Sequence, residues 1–291
     1  MAWQRLLRFH PRSDRSKTLI GQPFDAERDI GLAVSKNEVV QVRIWSGSSV
    51  LSPGQETTEE AVVGQLLSPL AQEEVGTIRC IGLNYKQHAE EAGMTIPTVP
   101  TVFMKPSTAL SNPYPTQLTT LPHETQSTMT GDYESELTII ISKSCKNVSE
   151  ADAMNYVLGY TAANDVSSRS AQFATTQWSY SKGFDESCPI GPVVVSKDLV
   201  PDPAKLHLRG LHNGKVVQDC GINDLIFSIP KLVSFLSQGT TLPAGTIVIT
   251  GTPAGVGAMR SPKITLKHGD EFGVEILPYI GTLVNKFVNE V

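Results

Sequence analysis

The chain has 291 residues, 40% of them hydrophobic and 18% charged, with 24 Lys plus Arg against 29 Asp plus Glu. That apolar content belongs to a folded chain rather than a disordered one, and the acidic balance excludes a sequence-independent nucleic-acid binder, which needs a basic face. No apolar run nears the roughly 20 residues needed to cross a bilayer.

In chain order, the start is basic: Arg5, Arg8, Arg12, Arg15 and Lys17 face Asp14 alone. It lacks the apolar core of a secretory signal. It reads as a first strand over 3–9 followed by a polar loop, the alternative being a mitochondrial presequence. Residues 1–75 read as a small structural module, with strands over 30–34 and 38–45 and a turn at Ser52-Pro53-Gly54. Near-helical spacing of Ala61, Val62, Leu66, Leu67 and Leu70 predicts a short helix over 59–70.

Residues 76–291 have a different texture. Short β-branched runs recur between turn signals, at 77–83, 102–105, 136–142, 157–164, 193–196, 205–211, 246–250 and 271–277. Ser149 with Asp152 three residues on predicts a capped helix running to about 156. A second helix is predicted over 229–238, with Pro230 in its first turn and Gly239 as its stop. Residues 110–131, rich in Pro, Thr and Ser, read as a long loop. Many strands and few helices predict a mostly-β domain, an open or rolled barrel. Cys80, Cys145, Cys188 and Cys220 form no C-x-x-C pair, which fits a reducing compartment such as the cytoplasm.

The densest local signal is Gly131-Asp132-Tyr133-Glu134-Ser135-Glu136-Leu137, running into Thr138-Ile139-Ile140-Ile141. On a strand, residues two apart project to one face, so Glu134 and Glu136 point the same way. Two acids at the mouth of a buried strand are costly unless something positive lies between them. Taken alone, the pair reads more simply as a solvated strand end. Asp165, at the end of the strand over 157–164, adds a third acid. Three carboxylates with no His or Cys close in sequence suit Mg²⁺, Mn²⁺ or Ca²⁺ rather than Zn²⁺.

Four further signals each have two readings. Arg169, four residues past Asp165 and followed by Gln172, either pairs with an acid or clamps a substrate carboxylate. Lys182, in an aromatic-rich loop, is a surface lysine by default, or beside a metal a stabiliser of a developing enolate. His88 and Glu91 are neighbours on a helical turn. They are either ordinary helix surface or a dyad in which Glu91 orients the imidazole as a base on water. The strand 247–250 empties into Gly251-Thr252-Pro253-Ala254-Gly255-Val256-Gly257, which lacks the spacing of a nucleotide-binding loop. Its backbone N–H groups and the Thr252 hydroxyl are expected to face the site.

Together these pieces resemble the fumarylacetoacetate hydrolase family in its short form. The resemblance runs in order along 76–291. It begins with Ile81-Gly82-Leu83-Asn84-Tyr85 plus His88 and Glu91, then Phe103-Met104-Lys105-Pro106-Ser107 and Asp132-Tyr133-Glu134-Ser135-Glu136-Leu137. It continues through Gly159-Tyr160-Thr161, Asn164-Asp165-Val166, Arg169, Gln172, Lys182-Gly183-Phe184-Asp185 and Pro189-Ile190-Gly191-Pro192. The glycine-rich loop and Gly281-Thr282-Leu283-Val284-Asn285 complete it.

The resemblance implies a mostly-β fold with some α, a mixed β-roll behind the small N-terminal module, and a homodimer. It implies Glu134, Glu136 and Asp165 as ligands of Mg²⁺ or Mn²⁺, and a lid carrying His88 and Glu91 that activates water. Lys182 would stabilise an enolate or oxyanion. Arg169, Gln172 and Thr252 would hold the oxo-acid end of a small anionic dicarbonyl substrate. Attack by water would cleave an acylpyruvate, and loss of CO₂ would decarboxylate oxaloacetate. The expectation is a divalent-metal-dependent C–C hydrolase or decarboxylase. The alternatives are an isomerase, tautomerase or secondary-metabolite tailoring enzyme on the same centre, or a non-catalytic relative. Three departures bear on the substrate rather than the metal: Ser170 where relatives often carry an acid, Ala244-Gly245-Thr246 in place of Gly-Asp, and the long stretch 112–130, expected near the mouth of the site.

Overall fold

The computed structural model describes residues 3–291, so the first two residues of the basic start lie outside the described residues. Two large sheets organise the backbone, with a third, two-stranded one formed by Gly131–Asp132 and Ser167–Ser168. Across the larger, eleven-stranded one run Leu19–Pro23, Gln41–Trp45, Glu56–Leu67, Arg5–Pro11, Cys188–Ser196, Val157–Asn164, Ser135–Ile141, Ile247–Ile249, Ile78–Gly82 and Thr101–Lys105. Leu110–Ser111 pairs in parallel with Cys188–Ser196 beside that path. The smaller of the two large sheets holds Lys215–Gly221, His207–His212, Glu271–Leu277, Gly281–Asn289 and Thr119–Leu121, in that order. The N-terminal strands join the rest through Arg5–Pro11, where Arg5 lies opposite Val195 and Leu6 opposite Val194.

The strand Ser135–Ile141 is buried along its whole length. Its alternate residues enter two different cores: Leu137, Ile139 and Ile141 one, Ile140 the other. This is the burial on both faces that a continuous apolar run implies. The mostly-β architecture follows the expectation, but several local elements differ.

Ile30–Ser35 is a helix, not a strand. Asp29 caps it by accepting the Leu32 N–H at 3.0 Å, and Gly31 lies so close to the Thr282 carbonyl that a Cβ would come within 1.8 Å of it. Glu56–Leu67 is a strand, not a helix. Its apolar residues fit either period, and pairing with Arg5–Pro11 on one side and Gln41–Trp45 on the other decides the matter. Ser149 and Asp152 do exchange hydrogen bonds, yet only a short 3₁₀ turn, Ala153–Tyr156, follows. The expected loop over 110–131 contains the strands Leu110–Ser111 and Thr119–Leu121 and the helix His123–Thr128. The helix Ile229–Ser237 is capped by Ser228, with Pro in its first turn.

Candidate active site

Strand register brings the three acids together. Ser135 pairs with Asn164 and Glu136 with Ala163, and the Asp165 N–H donates to the Glu134 carbonyl at 2.9 Å. Glu134 therefore stands opposite Asp165, and Glu136 projects to the same face two residues on. Carboxylate oxygens of Glu134, Glu136 and Asp165 all lie within 4.8 Å of one another, and all three residues are buried.

Cations surround this cluster on one side. Lys182 Nζ bridges Glu134 Oε2 at 2.7 Å and Asp165 Oδ2 at 2.9 Å. Lys105 Nζ reaches Asp165 Oδ1 at 2.5 Å, and Arg169 Nη1 reaches Glu134 Oε1 at 2.7 Å. Burial alone would lower the Lys182 pKa, but the charges of Asp165 and Glu134 outweigh it and raise it, so the ammonium stays charged. Burial alone would raise Glu134, yet Lys182 and Arg169 hold it below its ordinary value. Glu136 goes the other way. Burial and the charges of Asp165 and Glu134 push it well up, and among the described residues it has no ion pair. Its one hydrogen-bond donor is the Gly251 N–H at 2.5 Å. An acid left short of positive charge between two others is a place for a cation, and three hard oxygens suit Mg²⁺ or Mn²⁺.

The glycine-rich loop closes over the site with its amides turned onto the protein's own acids. Gly251 N–H donates to Glu136, Gly255 N–H to Glu91, and the N–H groups of Gly257 and Ala258 to Asp132. A phosphate has no claim on these donors. At Gly251, φ is +100°, and a Cβ would lie 2.8 Å from that of Asn84, so glycine is needed there. Buried Asn84 ties the loop's strand to the segment that leads into the next helix: its amide donates to the Thr250 carbonyl at 2.7 Å and accepts the Phe227 N–H at 2.8 Å. The helix Lys86–Glu91 follows, with His88 Nδ1 2.9 Å from Glu91 Oε2.

A cleft of about 670 Å³, mouth included, is lined by His88, Glu134, Arg169, Gln172, Lys182 and Thr252. Residues drawn from five stretches of sequence thus meet in one space. Glu91 lies behind His88, Glu136 beneath Gly251, and Asp165 beneath Lys182 and Lys105.

Four residues had no assigned role in the sequence reading. Lys105 is buried and also donates to the Ser187 carbonyl at 2.8 Å. Its signal was a lysine two residues from Phe103 on the inward face of a strand. Asp132 receives the Arg169 Nε at 2.8 Å besides three backbone N–H groups. Gln218 donates to the Thr252 hydroxyl at 2.7 Å and accepts the Ser135 N–H at 2.9 Å. Glu124, on His123–Thr128, accepts the hydroxyls of Ser168 and Ser170, both at 2.6 Å, on either side of Arg169. The acid missing at position 170 is thus supplied from the 112–130 stretch. Nothing in the local sequence pairs Glu124 or Gln218 with the site.

The fumarylacetoacetate (FAA) hydrolase C-terminal family matches residues 77–288. A caffeoylpyruvate hydrolase of Neonothopanus nambi is 43% identical over 292 residues, covering 99% of this chain and 94% of that protein. The mitochondrial oxaloacetate tautomerase Fahd2a of Rattus norvegicus is 40% identical over 210 residues, 72% of this chain. The match spans 65% of that relative's own length. A crystal structure of 2-hydroxyhepta-2,4-diene-1,7-dioate isomerase from Mycobacterium marinum matches with a TM-score of 0.78 at 31% identity, over 99% of both chains.

Proposed function

Because the chain belongs to the fumarylacetoacetate hydrolase family, we propose that it hydrolyses the C–C bond of a small acylpyruvate, with Mg²⁺ or Mn²⁺ held by Glu134, Glu136 and Asp165. The observation that carries this reading is the His88–Glu91 dyad on the same cleft as Glu134 and Lys182. Of the three reactions only hydrolysis needs water made into a nucleophile, so the dyad favours it over decarboxylation or tautomerisation. Bound at the acids, the ion would draw electrons from the substrate's chelated carbonyls.

The chain's own residues supply the rest. Arg169 is fixed through Nε by Asp132 and through Nη1 by Glu134 and Gln172, while its buried Nη2 has no partner among the described residues. An unpaired guanidinium N–H of this kind suits a substrate carboxylate oxygen. Gln172 and Thr252 line the same cleft. With Nδ1 on Glu91, the other ring nitrogen of His88 takes a proton from water as the water attacks the acyl carbonyl. The C–C bond breaks, its electron pair passes to the pyruvate enolate beside the Lys182 ammonium, and protonation yields pyruvate and a carboxylic acid. The reading extends to a homodimer in a reducing compartment, the latter supported by four free, buried cysteines.

The tautomerase relative and the isomerase structure favour a second reading on the same centre, in which only a proton moves. Pyruvate release from acylpyruvates in the presence of Mg²⁺, and its loss with EDTA, tests the first. Turnover of oxaloacetate or a dienoate alone moves the assignment to the second. No turnover of any of these compounds with either ion leaves a non-catalytic relative.

A further inference from the structure

Lys182 is held by three side chains, and one of them carries no charge. Besides meeting the carboxylates of Glu134 and Asp165, its Nζ stands over the Phe103 ring, 5.0 Å from the ring centre. Phe103 and Lys105 lie two apart on the inward face of Thr101–Lys105, so one strand sends a ring to Lys182 and an ammonium to Asp165. Phe103 is buried, and Trp178 packs edge to face against it with ring centres 5.7 Å apart. The same tryptophan starts the turn that carries the lysine: its carbonyl accepts the Lys182 N–H at 3.2 Å and the Ser181 hydroxyl at 2.8 Å. The indole can take this place because residue 82 is glycine, where a Cβ would lie 2.4 Å from it. Phe103, Trp178 and Lys182 thus close a circuit of contacts on one wall of the cleft.

We infer that Phe103 is a positioning residue for the Lys182 ammonium: its ring face holds that charge beside the place where the enolate forms, and Trp178 braces the ring. This rests on the acylpyruvate reading above, in which Lys182 meets the enolate. Carboxylates alone would hold the lysine poorly during the reaction. Glu134 and Asp165 are also the acids that would take Mg²⁺ or Mn²⁺, and a divalent ion among them repels a neighbouring ammonium. The attraction of a ring face for a cation does not compete with that ion for carboxylate oxygens, and it is strongest where water is excluded. Lys182 is buried, so that condition is met.

Fluorine leaves the shape of the ring nearly unchanged and drains the negative charge from its face. The test therefore replaces Phe103 by mono-, di- and trifluorophenylalanine in the full-length protein, with Phe103→Leu as the variant that lacks the ring. In Mg²⁺ buffer, kcat for acylpyruvate cleavage should fall stepwise with each fluorine and by about tenfold in Phe103→Leu, the worth of a desolvated contact of this kind. KM should change by less than about twofold, since the contact acts on the transition state. A second readout needs no turnover. With lysine labelled at Cε, the NMR signal of the Lys182 methylene, assigned by its loss in Lys182→Arg, should lie upfield through the ring current of Phe103. It should do so with and without Mg²⁺, and return to the common lysine position in Phe103→Leu. A kcat indifferent to fluorine, or a loss carried by KM alone, overturns the inference and leaves the hydrolase reading standing, because cleavage is still observed. A Lys182 signal at the common position in the unmodified protein overturns it as well. An upfield Lys182 signal in a protein that cleaves no acylpyruvate keeps the Phe103 contact and removes the hydrolase reading instead.

Discussion

Glu91 and Gly255 stand 164 positions apart in the chain, and the Gly255 N–H donates to Glu91 Oε1 at 2.9 Å. The other oxygen of the same carboxylate holds His88 Nδ1. One side chain therefore latches the helix Lys86–Glu91 to the glycine-rich loop and orients the ring that faces the cleft. Glu91→Ala should lower kcat/KM for acylpyruvates by about 10²-fold or more, the usual worth of a positioned base. It should also speed proteolysis within residues 86–93. Glu91→Gln, whose amide oxygen can still accept from Gly255, should keep the protease resistance and lose the activity. A Glu91→Ala variant that keeps most of the acylpyruvate rate would remove the dyad from the mechanism.

The same carboxylate should set an acid limit on that latch. Burial would raise its pKa, but the hydrogen bonds from His88 and Gly255 N–H outweigh burial and hold it below the ordinary glutamate value. A carboxyl depressed in the closed form contributes fully above its open-state pKa. The contribution is lost as pH falls through the lowered closed-state value. Protection of 86–93 from proteolysis should therefore persist through mildly acidic pH and fail below the ordinary carboxyl range. In Glu91→Gln it should show no such acid limb.

Cation binding is readable without substrate. A ligand at about 100 times its Kd stabilises by about 2.7 kcal/mol, which for a chain of this size means a rise in Tm of roughly 4–5 °C. Mg²⁺ or Mn²⁺ should give a rise of this size, and Glu136→Gln should abolish it. A full shift in that variant would remove Glu136 from the ligand set.

Glu124 should act through Arg169. Its two oxygens hold Ser168 and Ser170, the residues flanking the arginine. Glu124→Ala should cost about 2 kcal/mol in urea unfolding, as for charge-assisted hydrogen bonds. It should raise KM for the oxo-acid several-fold with a smaller change in kcat, and Glu124→Gln should recover part of both. A merely structural role would leave KM unmoved.

Lys105 is fully buried against Asp165. Lys105→Met leaves that acid with one cation fewer, and breaking a buried pair from one side typically costs about 3–5 kcal/mol. Equilibrium denaturation measures this directly.

Much of this molecule was legible along the chain. The run Leu137-Thr138-Ile139-Ile140-Ile141 announces a strand buried on both faces, and the two-residue period alone aligns Glu134 with Glu136. His88 and Glu91 are neighbours by helical geometry, and the structure has them hydrogen-bonded. Where local patterns were ambiguous the reading failed. Residues 59–70 fit a helix until two partner strands fixed them as a strand, and Asp29, by capping, made a helix of 30–35.

What the sequence determined by itself was whatever a local period or a run of motifs can encode: the mostly-β class, the family, and the acids and the dyad as separate pieces. The tertiary structure alone decided which charge meets which. Lys105 on Asp165, Glu124 on Ser168 and Ser170, Gln218 on Thr252, and the loop amides on Glu136, Glu91 and Asp132 all join residues 34 to 164 positions apart. The physical reason is that burial makes each polar group seek a partner, while the identity of that partner depends on the path of the whole backbone rather than on neighbours in sequence.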